Sequence, residues 1–124
     1  MFSDKQVYEA AVAAVEARGE DYVYEKFHGD CVYGVDGEPS CLVGQIVYNL
    51  DPDLFAALEA EDIQRRRDGE DTTCDVMPTL ADKFSRRQME ALRGAQGYQD
   101  LGFTWGTAFL NFARLDRHDD SKEG

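Results

Sequence analysis

Residues 31–44 read CVYGVDGEPSCLVG, and this stretch decides how the middle of the chain folds. The run CVYGV is rich in β-branched and aromatic residues and predicts a short strand. Gly37 accepts a positive φ and Pro39 cannot continue a ladder, so the strand is expected to end there. Ser40 then predicts the cap of a helix. The apolar residues of that helix recur at helical spacing: Leu42, Val43, Ile46, Val47 and Leu50.

The residues before this stretch predict a helix and a second strand. Ser3 and Gln6 have the spacing of a capping box, and Gly19 is a typical helix stop. The face expected to be buried comprises Tyr8, Ala11, Val12 and Val15. Residues 21–27, DYVYEKF, predict a strand, which we expect to pair with residues 31–35 as a hairpin.

A further helix is predicted directly after residue 50. Asp51 is a good cap, and Pro52 follows at the first helical position, where its missing N–H costs nothing. The apolar spacing carries this helix towards Arg67. Residues 68–78 are polar and begin with Asp-Gly, so they predict a loop.

The last third of the chain predicts two more helices. Ser85 and Gln88 form a second capping box, and the helix after them is expected to end near Asp100, before Gly102. Thr104 predicts the cap of a final helix. The inner face of that helix comprises Trp105, Ala108, Phe109, Phe112 and Ala113.

The predicted fold class is α+β, with a small β-hairpin or short antiparallel sheet packed on four to five helices. At 124 residues the chain is long enough for one domain with a real hydrophobic core. We expect that domain to span residues 1–115. Residues 116–124 are polar and lack apolar periodicity, so they predict a disordered acidic tail.

The chain is strongly acidic, with a formal net charge of −12. Residues 1–60 hold twelve acidic and three basic side chains, or −9, and residues 61–124 hold thirteen and ten, or −3. An acidic surface repels phosphate backbones, so no direct nucleic-acid binding is expected. Two interpretations stay open: the charge provides solubility, or it mimics nucleic acid and blocks a DNA-binding host protein.

The cellular location is predicted from the N-terminal residues, from the length of the apolar runs and from the cysteines. MFSDKQ lacks the basic and apolar regions of a signal peptide, and the apolar runs are too short for a transmembrane span. We therefore expect a cytoplasmic protein with no membrane contact. Its three cysteines would then stay reduced, and the odd count argues against a disulfide framework.

Cys41 is the strongest candidate for chemistry. A thiol at a helix N-terminus has a lowered pKa, and His28 is the nearest residue in sequence that could act as its base. The opposing interpretation, which we favour, is a small buried thiol beneath the hairpin. A metal site would need His28, Cys31, Cys41 and Cys74 to converge, and the sequence has no CxxC or HxxxH pair. No metal and no cofactor are predicted.

Gln96, Gln99 and Asp100 are candidates for a structural polar network. The two glutamines fall on the same side of their helix as Met89 and Leu92, which predicts that they are buried. Buried amides must be hydrogen-bonded, so we expect them to hold the following turn or the hairpin edge. A ligand or partner contact is the alternative.

Four tyrosines near the predicted hairpin indicate a binding surface: Tyr22, Tyr24, Tyr33 and Tyr48. Tyrosine is favoured at protein interfaces, and one face of a small hairpin is expected to be exposed. The sequence therefore predicts a partner-binding surface formed by these tyrosines and by the helix after Asp51. The arginine clusters at residues 65–67 and 86–87 are interpreted as solvated helix faces.

Two blocks of the sequence resemble small proteins of actinobacterial phages and prophages. The first is Cys31-x-Tyr33 followed by residues 37–44, GEPSCLVG. The second is residues 92–108, with the pattern L-x-x-A-Q-x-x-Q-D-x-G-x-T-W-G-x-A. The resemblance covers about half of the chain and implies a mycobacteriophage-type origin and a domain type, without an activity.

The function expected from these observations is that of a phage-encoded accessory protein. It would bind and modulate a host or phage protein in the host cytoplasm, and a homodimer stays open. The alternatives are an acidic nucleic-acid mimic and a small thiol-dependent enzyme that uses Cys41. The absence of a nucleophile–base pair or a phosphate loop makes an enzyme the less favoured interpretation.

Overall fold

The described part of the chain is mainly helical, with a single two-stranded sheet. The computed structural model describes residues 2–25, 32–69 and 80–115. In order, the elements are α1 (Asp4–Arg18), β1 (Gly34–Val35), β2 (Glu38–Pro39), α2 (Leu42–Leu50), α3 (Pro52–Arg67), α4 (Arg86–Asp100), α5 (Trp105–Phe109) and a 3-10 turn (Leu110–Phe112). The fold class is therefore α+β, a small antiparallel hairpin packed on helices, as the sequence predicts.

Side-chain caps fix the starts of α1, α3 and α4 where the sequence places them. Ser3 begins α1 with a capping box, in which its hydroxyl accepts from the Gln6 amide at 3.0 Å. Ser85 and Gln88 make the same pair of bonds at the start of α4. Asp51 accepts from two first-turn amides of α3. Caps depend on residues three apart, so the sequence alone is sufficient to predict them.

The hairpin lies at a different place from the predicted one. Gly34 pairs with Pro39 and Val35 with Glu38, across a two-residue turn at Asp36 and Gly37. Both turn residues have positive φ, 53° and 82°, which is the geometry that favours Asp-Gly in tight hairpins. The sequence predicts that the strand ends at these two residues, and the tight turn instead folds the chain back on itself.

Residues 22–25, the described end of the first predicted strand, are irregular. They meet the hairpin through a side chain: the Val32 amide donates to the Tyr24 hydroxyl at 3.1 Å. The expected ladder between residues 21–27 and 31–35 is thus absent from the described residues. The rest of that segment, residues 26–31, lies outside the described part, as do residues 70–79 and 116–124.

Helix α2 forms the centre of the domain and begins one residue later than predicted. Its cap is Cys41, whose Sγ atom accepts from the Gly44 amide, whereas the Ser40 hydroxyl donates to the Tyr24 hydroxyl at 3.4 Å. The Ser40 amide donates to the Tyr33 carbonyl at 2.9 Å and so belongs to the hairpin. Helices α1, α3 and α4 all pack against α2. The buried side chains of α2 are Leu42, Val43, Ile46 and Val47, with Gly44 also buried. Among the described residues, these belong to one continuous apolar cluster.

None of the described helices combines the length and the apolar character that crossing a membrane requires.

Candidate functional site

The N-terminus of α2 is closed by two glutamines from α4. Gln99 Oε1 accepts from the Leu42 amide at 2.7 Å, and Gln96 Oε1 accepts from the Val43 amide at 3.2 Å. The third amide, that of Gly44, donates to Cys41 Sγ at 3.3 Å. The first-turn amides of α2, which could otherwise hold an anion, are therefore used inside the protein.

Gln99 also fixes the start of α5. The same Oε1 atom accepts from Trp105 Nε1 at 3.2 Å, and Gln99 Nε2 donates to Asp100 Oδ1 at 3.1 Å. The structure thus brings Gln96, Gln99 and Asp100 together, with both glutamines buried and Asp100 exposed. This network joins residues 92–108 to residues 37–44, because Gln96 and Gln99 bind the helix that begins at Leu42.

Cys41 lies completely inside the core. Burial raises the pKa of its thiol from 9.0 to about 12, although hydrogen bonds from Gln96 and Gly44 act in the opposite direction. The helix N-terminus was expected to lower this pKa, but removal of the thiolate from water outweighs that effect. At neutral pH the thiol is protonated and inaccessible, which does not suit a nucleophile.

The other residues considered for metal binding, His28, Cys31 and Cys74, lie outside the described part of the chain. Within residues 2–25, 32–69 and 80–115, no group of three acidic, histidine or cysteine side chains is arranged to hold a metal ion.

The four tyrosines do not form one exposed face. Tyr24 and Tyr33 are buried in the core, so they do not contribute to an exposed face of the hairpin. The reason is the altered hairpin: Tyr33 precedes β1 and packs inwards, and the Tyr24 hydroxyl binds Val32 and Ser40. Tyr48 is exposed, with its ring edge-on to Phe55 at 5.4 Å.

Tyr22 is half-buried beneath an arginine. The Arg18 guanidinium lies 4.9 Å from the Tyr22 ring centre, and its Nη1 atom donates to the Tyr22 hydroxyl at 2.9 Å. The Tyr22 ring in turn packs edge-on against Trp105 at 4.8 Å. Arg18 Nη2 also donates to the Pro39 carbonyl at 3.0 Å. This cluster ties α1, the hairpin and α5 together, so its main contacts are internal.

Exposed apolar side chains instead concentrate around the turn between α4 and α5. We call this set the C-terminal apolar surface: Tyr98, Leu101, Phe103 and Leu110. Leu101 is 77% exposed and Leu110 is 68% exposed, the two largest values among the described large apolar residues. The Tyr98 and Phe103 rings pack edge-on, with their centres 5.3 Å apart. Tyr98, Phe103 and Leu110 line one depression, and exposed apolar side chains gathered in this way are typical of an interaction site.

A groove continues from this surface along α4. One depression, of about 370 Å³, is lined by Tyr98, Phe103, Thr107, Leu110 and Asn111. A second, of about 560 Å³, shares Leu110 and Asn111 with it and adds Arg86, Arg87, Glu90 and Arg114 among its walls. We call the two together the arginine groove. Its lining charges are three arginines and one glutamate, or +2, on a chain of −12.

This groove was not predicted from the sequence. The signal available in the sequence is that Leu101 and Leu110 lie outside the apolar stripes of α4 and of the last helix. Arg86 and Arg87 had been interpreted as a solvated helix face. Arg114 lies 27 residues further along the chain than Arg87, so only the packing of the 3-10 turn on α4 brings them to one groove.

Asp62 is a buried carboxylate that the sequence analysis also missed. Its Oδ2 atom accepts from the Tyr33 amide at 2.6 Å, and its Oδ1 atom has no partner among the described residues. Burial raises the pKa of Asp62 from 3.8 to about 6, while the Tyr33 amide, Arg66 and Arg65 act in the opposite direction. Asp62 lies four residues after Leu58 on the buried face of α3, which was the signal for its burial.

Comparison with known proteins gives no match to a protein family, to a curated protein or to a solved structure. The resemblance to actinophage proteins therefore stays a prediction.

Proposed function

We propose that this protein works by binding another protein and modulating it, as an accessory protein encoded by an actinobacteriophage or prophage. The partner is a host or phage protein, met in the cytoplasm of the host cell. The observation that carries this proposal is the C-terminal apolar surface, where four large apolar side chains stand exposed on adjacent elements. Such surfaces on small domains mark sites that another molecule covers.

The composition of this surface supports a protein as the partner. Aromatic residues and arginine are enriched at protein interfaces, and both occur here within one groove. The Tyr98–Phe103 pair is held edge-on, so its rings lose little freedom when a partner covers them. Tyr48, which has a similar exposure on α2, is the second candidate contact.

The two alternatives receive different support. The net charge of −12 favours the nucleic-acid mimic, whereas the positive lining of the arginine groove does not. Mimicry is therefore kept as an outcome of the experiment. The burial of Cys41 and the raised pKa of its thiol do not support the thiol-dependent enzyme.

The experiment is an affinity pull-down of the tagged protein from an actinobacterial host lysate, at low and at moderate salt, read by mass spectrometry. Two variants form a matched pair: Tyr98→Ala and Tyr48→Ala. The two tyrosines are 42% and 40% exposed, and each packs edge-on against one phenylalanine. Both substitutions therefore remove a similar ring at a similar cost to stability.

We expect one dominant host protein that resists moderate salt and is lost with Tyr98→Ala but retained with Tyr48→Ala. Loss with Tyr48→Ala alone would keep the binding function and move the surface to α2. A salt-labile set of DNA-binding proteins, competed by duplex DNA, would establish mimicry instead. If neither salt enriches a protein, the lysate is replaced by one from phage-infected cells, and a second blank result would contradict the proposal.

A further inference from the structure

We infer that the arginine groove binds an acidic, amphipathic segment of the partner protein, an inference that rests on the protein-binding function proposed above. The groove combines an apolar wall with a positive wall. Its occupant should therefore present apolar side chains towards Leu110 and carboxylates towards the arginines. The charge of the groove, the position of its arginines and the shape of the groove all point to this occupant.

The charge of the groove is opposite to that of the rest of the molecule. Among the described residues, Arg86, Arg87 and Arg114 line it with Glu90 as the one acidic wall residue, which gives these walls a charge of +2. The complete chain carries −12, so this local sign does not follow from composition. Complementary charges at an interface guide the choice and orientation of a partner. A segment rich in Asp and Glu matches this lining, and a basic segment would be repelled by it.

The position of two arginines works against the stability of their own helix. Arg86 and Arg87 occupy the first turn of α4, where the helix dipole favours acidic side chains. The other two long helices follow the rule, with Asp4 in the first turn of α1 and Asp53 in that of α3. A local choice that opposes stability is expected at a functional site.

The shape of the groove gives the occupant a direction. Arg87 and Tyr98 are eleven residues apart on α4, which corresponds to about 16 Å along the helix axis. The arginines lie at one end and the Tyr98–Phe103 pair at the other, with Leu110 and Asn111 between them. A helix of about three turns fits this length, as in helix-in-groove recognition. Its acidic residues would lie near Arg87 and its apolar residues near Tyr98.

The lack of a side chain at Gly94 leaves room for Asn111 in the middle of this groove. A Cβ atom there would overlap Asn111 Oδ1 and lie 3.0 Å from Asn111 Cγ. The absent side chain lets Asn111 pack directly on α4. The Asn111 Nδ2 atom donates to the Ala108 carbonyl of α5 at 2.9 Å. Asn111 thus forms a fixed wall shared by both halves of the groove.

The experiment uses selection from displayed random peptides of about 15 residues, or four helical turns, with the complete protein as bait. Enriched peptides are synthesised with a fluorophore, and their affinities are measured by fluorescence anisotropy. The groove variants are Arg87→Glu and Leu110→Ser, both at exposed positions. The controls are Arg67→Glu and Ile63→Ser, exposed residues of α3. Arg67→Glu makes the same change in net charge as Arg87→Glu, so it separates local contact from long-range repulsion.

We expect enriched peptides with net negative charge and apolar residues at helical spacing. Each groove variant should weaken their binding by about tenfold or more, and the α3 variants by less than about twofold. Neutral or basic peptides, no enriched peptide, or equal loss with Arg67→Glu and Arg87→Glu would overturn the inference.

Two other occupants are tested with the same protein. Competition by duplex DNA as strong as that by unlabelled peptide would assign the groove to polyanions and overturn the inference. Sedimentation that shows self-association, abolished by Leu110→Ser, would assign the groove to a second copy, with the same consequence. A pull-down partner that is lost with Tyr98→Ala would leave the proposed function intact in either case, so the two failures are distinguishable.

Discussion

Two glycines set how closely the hairpin approaches the helices beneath it. A Cβ atom on Gly44 would overlap the Tyr33 carbonyl oxygen and lie 2.9 Å from its carbon. A Cβ atom on Gly34 would overlap the Phe55 ring. The Tyr33 contact is with backbone, which cannot turn aside as a side chain can. Glycine is therefore required at position 44 by packing, although its own φ is ordinary helical backbone.

Gly44→Ala should lower the free energy of unfolding by about 3 kcal/mol or more, because the hairpin must move off α2. The matched control is Gly97→Ala on α4, where an added Cβ meets nothing within 4 Å. That change should raise the free energy of unfolding by about 0.5–1 kcal/mol through helix propensity. Urea unfolding followed by circular dichroism measures both. Equal effects of the two changes would mean that the hairpin tolerates displacement.

Asp62 links the stability of the hairpin to pH. It is 0% exposed, and its carboxylate holds the Tyr33 amide that leads into β1. Arg65 and Arg66 face it from its own helix, as does Glu61, and the Tyr33 backbone faces it from the hairpin. Because burial raises the pKa of Asp62, the folded state binds its proton more tightly than the unfolded state does.

The contribution of Asp62 to stability is therefore complete below about pH 4 and is lost as pH rises through about 6. A shift from 3.8 to about 6 corresponds to about 2–3 kcal/mol. Asp62→Asn should remove this decline. The free energy of unfolding of the variant, relative to that of the parent protein, should therefore increase between pH 4 and 7. Urea unfolding across this range measures the difference, and Asp53→Asn, an exposed position on the same helix, is the control. Parallel pH curves for Asp62→Asn and the parent would show that the buried carboxylate titrates normally.

At the scale of elements, α2 is a helix that depends on its neighbour for its start. Its cap is a thiol, a weak acceptor, and its first turn contains no acidic residue. The amides of Leu42 and Val43 are satisfied by Gln99 and Gln96 across the interface with α4. The position of α2 is thus fixed by hydrogen bonds as well as by apolar packing.

Gln99→Leu should lower the free energy of unfolding by about 3 kcal/mol, since it leaves the buried Leu42 amide and Trp105 Nε1 without their acceptor. Gln64→Leu is the control, because Gln64 is exposed on α3 and its Nε2 atom donates to the exposed Asp68 at 3.0 Å. We expect that control to change stability by less than about 0.5 kcal/mol. Thermal unfolding provides the measurement. A similar effect of both substitutions would show that the network contributes little.

The first turn of α4 predicts a change with opposite effects on stability and on binding. Arg87→Glu should raise the free energy of unfolding by about 0.3–1 kcal/mol, because the helix dipole stabilises an acidic residue at the second helical position. Asp53→Arg, at the second position of α3, should lower it by a similar amount. Urea unfolding at low salt measures both, and the effects should shrink at high salt. A loss of stability with Arg87→Glu would mean that Arg87 has a structural role.

At the scale of the molecule, Trp105 joins distant parts of the chain. Its amide donates to the Tyr22 carbonyl at 2.9 Å, its ring packs on Tyr22, and its Nε1 atom binds Gln99. The next amide, that of Gly106, donates to the Glu20 carbonyl at 2.9 Å. Since this is the single tryptophan of the chain, its fluorescence reports on the contacts among α1, α4 and α5.

We expect Trp105 fluorescence and circular dichroism to show one coincident transition in urea, as a cooperative domain requires. Cys41 is completely buried, so its alkylation by iodoacetamide, located by peptide mass, should follow the same transition. The labelling rate in high urea is the reference. Rapid alkylation of Cys41 in native buffer, with unchanged fluorescence, would reveal local opening at α2 and reopen the question of its reactivity.

The sequence by itself determined the elements whose causes are local. Both capping boxes, the Asp51 and Thr104 caps and the end of α4 before Gly102 follow from residues within one helical turn of each other. Apolar spacing also predicted the buried faces of α2 and α4, and with them the α+β class. In α1 the buried residues include Val7, Ala10 and Ala14, whereas the predicted Tyr8 and Val12 are only half-buried. The Asp36-Gly37 turn was equally local, and its hairpin signal was present in the sequence but was interpreted as a strand end.

Only the tertiary structure decided the properties that depend on packing between distant segments. The pKa of Cys41 rises because α4 and the hairpin exclude water, which a sequence position at a helix start does not reveal. Tyr33 is buried because the hairpin folds on α3, and Asp62 is buried with it. The arginine groove exists because the 3-10 turn places Arg114 and Leu110 beside the first turn of α4. Desolvation and charge proximity are properties of neighbours in space, and the chain fixes these neighbours only once it is folded.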